Sequence, residues 1–203
     1  MNKNLTEIVF ILDRSGSMSG LENDTIGGFN GFVKKQAELG PTNLTTVLFD
    51  DEYEILHNGI DAGNAVLTDK EYFTRGSTAL LDAVGKTIND VGTRIYKTPE
   101  VQRPGKVIFA ITTDGFENAS REFSYAQVKD MITHQSEKYS WEFIFMGANI
   151  DAVEEGDKLG ISADRSFNFE ATSEGIGESF GFCTVISHGI RTKGKTQKTA
   201  AIA

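Results

Sequence analysis

Ile8-Val9-Phe10-Ile11-Leu12-Asp13-Arg14-Ser15-Gly16-Ser17-Met18 is the stretch that decides the fold. Its first five residues are apolar without a break, the pattern of a short strand buried on both faces of a parallel sheet. The strand ends in an acid, and two hydroxyls follow with the spacing D-x-S-x-S. Open α/β sheets bind their ligands at the carboxyl ends of the strands, which is where Asp13 falls. Gly16 loosens the turn, so Ser15 and Ser17 can point back toward the carboxylate. One negative charge and two neutral oxygens suit a small hard cation that keeps part of its water. A plainer account gives the hydroxyls of Ser15, Ser17 or Ser19 to capping the next helix.

Beyond this stretch the chain alternates between strand and helix patterns. Ile26, Phe29, Phe32, Val33 and Ala37 recur at helical spacing before Gly40-Pro41, which predicts a helix from about Leu21 to Leu39. Gly27-Gly28 and Gly31 weaken it and suggest close packing on the sheet. Thr45–Phe49 and Tyr53–His57, joined by Asp50-Asp51-Glu52, read as a hairpin whose second strand is an antiparallel edge. Gly59 to Ser77 has little internal pattern, and loops of this length tend to carry function. A helix with Leu80, Val84, Ile88, Val91 and Ile95 on one face follows Gly76-Ser77-Thr78. Lys106–Ile111 is another apolar strand and ends in Thr112-Thr113-Asp114-Gly115, again an acid at a carboxyl end. Ser124-x-x-Gln127 forms a capping box, Trp141–Met146 a strand, and Asp151-x-x-Glu154 a second cap before a short helix closed by Gly160. A short strand at Ser166–Phe169 and a last helix bearing Ile176, Phe180 and Cys183 complete the pattern. The fold class is α/β: a doubly wound, mostly parallel sheet with one antiparallel edge strand and helices on both faces.

Composition bounds the rest. The 203 residues suit one domain, over 1–190, large enough for a proper core. Net charge is −9; Arg191 to Ala203 hold Arg191, Lys193, Lys195 and Lys198 and no acid, so the remainder stands at −13. That balance argues against a nucleic-acid surface. The basic segment 191–203 lacks periodicity and reads as a disordered tail. Cys183 is the lone cysteine and excludes an internal disulfide. No signal peptide or membrane-spanning run is evident, so the expected setting is the cytoplasm, with no membrane partner.

If Asp13 and Asp114 share one rim and Thr78 folds over it, two carboxylates and three hydroxyls surround one point. This set fits Mg²⁺ or Mn²⁺ with one or two positions left for water or an outside ligand. D-x-S-x-S at Asp13, Ser15 and Ser17, the downstream Thr78, and Thr113-Asp114-Gly115 together resemble the von Willebrand factor A domain. In that family these positions form a metal-ion-dependent adhesion site. The resemblance implies hydroxyl ligands at Ser15, Ser17 and Thr78, with Asp13 and Asp114 acting directly or through water. It implies a sheet of about six strands and no enzymatic activity. It also implies a protein partner whose Asp or Glu completes the metal's coordination, in exchange with Asp114 and coupled to a shift of the last helix. Without a leader the chain looks like the intracellular bacterial or phage members, which often work beside ATPases or in stress operons such as tellurite resistance. Thr78, on a long loop, is expected to approach or leave the metal at low cost.

The competing function is Mg²⁺-dependent phosphoryl transfer with Asp13 as nucleophile. It lacks a second strand-end carboxylate near Asp13 and a phosphate-binding cation, since strand alternation turns Arg14 away. No glycine-rich phosphate loop and no G-x-S-x-G elbow is present. His57, His134 and His188 are isolated, Cys183 and Trp141 read as core, and Glu117 and Asn118 read as loop solvation in preference to partner choice.

Overall fold

A computed structural model describes residues 1–192. The strands are β1 (Asn2–Asp13), β2 (Thr42–Phe49), β3 (Tyr53–Asp61), β4 (Pro104–Thr113), β5 (Glu142–Ala148) and β6 (Ser166–Phe169). The helices are α1 (Glu22–Glu38), α2 (Leu80–Lys97), α3 (Tyr125–Tyr139), α4 (Ala152–Lys158) and α5 (Ser173–Thr192). The six strands lie in the order β3-β2-β1-β4-β5-β6, all parallel except the β2–β3 pair at one edge. The doubly wound sheet and its antiparallel edge are as the sequence predicts.

β1 sits at the centre, paired with β2 and β4, and Ile8 to Leu12 are wholly buried. Its side chains alternate between the two faces. Ile8, Phe10 and Leu12 join the core under α1 and α5, while Val9 and Ile11 join the core under α2 and α3. Phe10 anchors the first face: it meets Phe29 and Phe32 edge-on at 5.5 Å each and stacks on Phe180 of α5 at 5.6 Å. Gly28 makes this approach possible, because a Cβ there would lie 2.2 Å from the Phe180 ring. The glycine therefore serves the contact between α1 and α5, where the sequence suggested the sheet.

The chain leaves β1 toward β2 on one side and reaches β4 on the other. The strand order reverses between β1 and β4, the position where such sheets open a crevice at their carboxyl ends. Leu12 pairs with Thr112, so Asp13 and the Thr113-Asp114 step lie side by side across it.

The last helix extends further than the sequence suggests. Arg191 belongs to α5 and is nearly buried, its guanidinium donating to Gln36 O at 2.9 Å, Gln36 Oε1 at 3.0 Å and Gly40 O at 3.3 Å. Arg191 and Thr192, expected in the tail, thus belong to α5, and the rest of that expectation, residues 193–203, lies outside those described. No described helix is long and apolar enough to cross a membrane.

Candidate metal centre

Asp13 ends β1 with its side chain buried and both oxygens engaged. The Ser15 N–H donates to Oδ1 at 2.6 Å and the Thr113 hydroxyl to Oδ2 at 2.6 Å. The turn beyond it is short: Gly16–Met18 forms a single 3₁₀ turn, and Ser15 at its start uses its hydroxyl for no cap. The capping account of the serines is therefore set aside for Ser15 and Ser17. Their hydroxyls lie 3.1 Å apart, and Ser17 donates to Asp114 Oδ1 at 2.5 Å.

Thr78 is brought to the same place. A Cβ built on Gly115 would lie 3.6 Å from Ser17 Oγ and 3.8 Å from Thr78 Oγ1, so both hydroxyls converge on the space beside that glycine. All five predicted residues, Asp13, Ser15, Ser17, Thr78 and Asp114, thus gather at the β1–β4 crevice. Among the described residues no three of His, Cys, Asp and Glu are grouped so that they could hold a metal ion, so this cluster is a two-acid, hydroxyl-rich one.

Its electrostatics are unbalanced. Burial raises the Asp13 carboxyl to about 6, above the usual carboxylate range; its hydrogen bonds to Thr113 and Ser15 oppose this, and the Asp114 charge adds to it. Burial raises Asp114 as well, against the hydrogen bond from Ser17. Asp114 Oδ2 is buried and has no hydrogen-bond partner. A buried acceptor without a donor is costly. A cation among these oxygens would remove that cost, and the residues present fit a divalent ion with oxygen ligands.

Thr78 is not on a free loop. Its N–H donates to Asn118 Oδ1 at 2.9 Å, and its carbonyl accepts the N–H groups of Asn118 at 3.0 Å and Ala119 at 3.2 Å. Arg75 N–H donates to Arg14 O at 2.8 Å, and Gly16 N–H to Gly76 O at 3.2 Å, which straps this segment to the serine turn. The expectation of a cheaply mobile Thr78 gives way to a pinned one. Loop solvation fails for Glu117 too, while Asn118 is exposed and still spends its side-chain oxygen on the Thr78 N–H. Glu117 accepts the N–H of Leu81 in the first turn of α2 at 2.9 Å, and those of Ala119 and Ser120 at 2.9 and 2.7 Å.

Sequence reasoning missed several supporting residues. Thr113 orients Asp13, and Tyr72, buried in the long connection, donates to Asp13 O at 2.6 Å. Asp50, read as part of an acidic turn, is buried and accepts from Arg14 Nε at 3.0 Å and Arg75 Nε at 2.7 Å. Arg14 also reaches Glu54 at 2.7 Å, which accounts for its turning away from the crevice. The hydroxyl of Thr113, in the motif itself, was the one legible signal; Tyr72 and Asp50 act through contacts distant in sequence.

The sequence matches no protein-family model and no curated protein. Solved structures do resemble the chain. The vWF domain of the type V pili tip protein Mfa5 from Porphyromonas gingivalis superposes with a TM-score of 0.67 at 11% identity, covering 94% of this chain and 97% of that one. Manganese-loaded TRAP from Plasmodium vivax gives 0.61 at 15% identity, covering 90% and 74%. Proximal thread matrix protein 1 from the mussel byssus, with a zinc-occupied MIDAS motif, gives 0.61 at 14% identity over 91% of this chain. The chain spans just under half of that mussel protein, 46% of its length. At such identities the likeness is one of architecture: the chain has the von Willebrand factor A fold.

Proposed function

We propose that this chain is a divalent-cation-dependent protein-binding module. In this reading Ser15, Ser17, Thr78 and Asp114 supply ligand oxygens to Mg²⁺ or Mn²⁺, and Asp13 supplies the second negative charge. An Asp or Glu of a partner protein completes the coordination. The observation that carries it is the buried, partnerless Asp114 Oδ2, on a carboxylate whose other oxygen takes the Ser17 hydroxyl and which lies near a second buried carboxylate. The ion would supply an electrophilic centre for a hard oxygen ligand. The chain's own part is to hold that centre open. Thr113 and the Ser15 N–H fix the Asp13 carboxylate, Tyr72 fixes the strand end, and Asn118 fixes Thr78. The metal-loaded sites named for the mussel and Plasmodium proteins support a divalent ion in general.

Binding is favoured over phosphoryl transfer because the nearby guanidinium groups, Arg14 and Arg75, are both committed to Asp50.

The test is a thermal melt after chelator treatment, repeated with Mg²⁺ or Mn²⁺. Saturation to about a hundred times the dissociation constant adds roughly 2.7 kcal/mol. Asp114→Asn abolishes the response. It is a cleaner variant than Asp13→Ala, which would strip two donors of their acceptor. A wild-type melt that ignores both ions overturns the reading, as does metal-dependent phosphomonoester hydrolysis that Asp13→Asn removes.

A further inference from the structure

A second concavity lies at the opposite pole, against the first residues of β4 and the last turns of α2 and α3. β4 has ten residues, which puts the two sites on the order of 30 Å apart. The cleft measures about 660 Å³, within the usual size of small-molecule sites. Trp141, 7% exposed and stacked on Phe109 at 5.3 Å, lines it together with Ile88 and Ile95 of α2. Gly92 stands in the same wall. A Cβ there would come within 3.8 Å of the indole Cη2, an ordinary contact, so its absence leaves room beside the ring.

The lining has an uneven charge. The chain carries 29 acids against 20 Lys and Arg, yet Arg103, Lys106, Lys138 and His134 line the cleft and none of its described lining residues is Asp or Glu. Two of these cations sit over exposed aromatic rings. The Arg103 guanidinium lies 5.8 Å from the Tyr96 centroid and the Lys138 ammonium 5.5 Å from that of Tyr139; the two rings are 78% and 54% exposed. An apolar interior with cations and aromatic faces around it fits a ligand with a greasy body and one negative head. Residues 193–203 are poor candidates for it, since Lys193, Lys195 and Lys198 share the sign of the lining and no acid accompanies them.

We infer that this cleft binds a small amphipathic anion, an aromatic or aliphatic body bearing a single carboxylate or sulfonate. Its body lies against Trp141 and Gly92, and its head is met by Lys138, with Arg103, which the Thr98 and Tyr96 carbonyls hold in place, adding positive charge.

Trp141 is the only tryptophan, so the donor fluorescence comes from this cleft, and the competitor and the variants tell a dye bound here from one bound elsewhere. The full chain is titrated with 8-anilinonaphthalene-1-sulfonate by energy transfer from Trp141, with decanoate as competitor and N-phenyl-1-naphthylamine as the uncharged comparison. One-to-one binding is expected, with the anion about tenfold tighter than its neutral analogue. Gly92→Leu, which fills the space beside the indole, weakens it by about tenfold or more. Lys138→Glu, at an exposed position where folding is not at stake, weakens it by about threefold to tenfold. Equal affinity for the neutral probe, or wild-type affinity in both variants, overturns the proposal. So does a concentration-dependent dimer by sedimentation that Gly92→Leu disperses, because the cleft would then be an interface between copies.

Discussion

Thr78 and Asn118 hold each other in both directions: the Thr78 N–H donates to the Asn118 side chain, and the Asn118 N–H donates to the Thr78 carbonyl. Asn118 lies four residues beyond Asp114 on the same loop. The hydroxyl from one segment and the acid from another are therefore mounted on one frame. Moving Thr78 away from Asp114 means breaking these bonds together, so the two are expected to respond to a ligand as a unit.

Asn118→Ala tests that frame. The lost acceptor should cost about 1 kcal/mol of stability. It should also shrink the rise in melting temperature produced by Mg²⁺, since the loop that carries Asp114 is loosened along with Thr78. Melts of the variant with and without the ion decide it; a variant that matches the wild type in both states shows no such coupling.

Thr78 itself separates holding the ion from holding a partner. With Ser15, Ser17 and Asp114 intact, Thr78→Ala should keep most of the metal response and lose most of the partner capture, and Thr78→Ser should restore it. A pull-down with and without chelator reads this directly. Capture that survives both chelator and Thr78→Ala places recognition on another face of the domain.

Gly115 offers a way to block the centre without touching a ligand. Its backbone is not in the left-handed region, and the first atom of a side chain would already be in contact range of Ser17 and Thr78. Gly115→Val should fold, with a metal-free stability within about 1 kcal/mol of the wild type, yet show little response to Mg²⁺. A full metal response in Gly115→Val would mean that the ion sits elsewhere.

Asp82 sets a pH dependence remote from the ligands. Burial opposes its charge, but the backbone N–H groups of Arg121, Phe123 and Glu122, helped by Lys86, outweigh it and hold the carboxyl below its ordinary value. A folded value below the unfolded one stabilises the protein above about pH 4, and that contribution fades as pH falls through the folded value. Asp82→Asn should lower the urea midpoint at neutral pH, by about 1–3 kcal/mol in stability. The gap from the wild type should narrow below about pH 4. A gap that stays constant into acid would assign the loss to packing and not to charge.

The elements whose pattern is local were legible before any coordinates. β1 and β4 announce themselves as unbroken apolar runs that end in acids, and the capping box at Ser124 and Gln127 forms in full. From those two strand ends the crevice follows, because sheet topology alone sets Asp13 beside Asp114. What was illegible depends on partners far apart in sequence. Nothing near Tyr72 marks it as a donor to Asp13, 59 residues away. Glu117 looks like a solvated loop residue until α2 is packed against it, and nothing near Asn118, which stays exposed, marks it as the acceptor for the Thr78 N–H. Asp50 looks like an exposed turn until Arg14 and Arg75 close over it.

The grip of Arg191 on α1 has a practical meaning for where this domain can be cut. Its guanidinium fastens the final turn of α5 to the carbonyls at the end of α1, 155 and 151 positions earlier in the chain. Ending the protein at Ile190, as composition suggests, would discard a clasp and not a tail. It would take one donor each from the Gln36 and Gly40 carbonyls, which keep the Thr42 hydroxyl, and it would let the helix that lays Phe180 on Phe10 unravel from its end. A version ending at Thr192 keeps the clasp, so comparing the two lengths by hydrogen exchange along α5 would locate the true border of the folding unit.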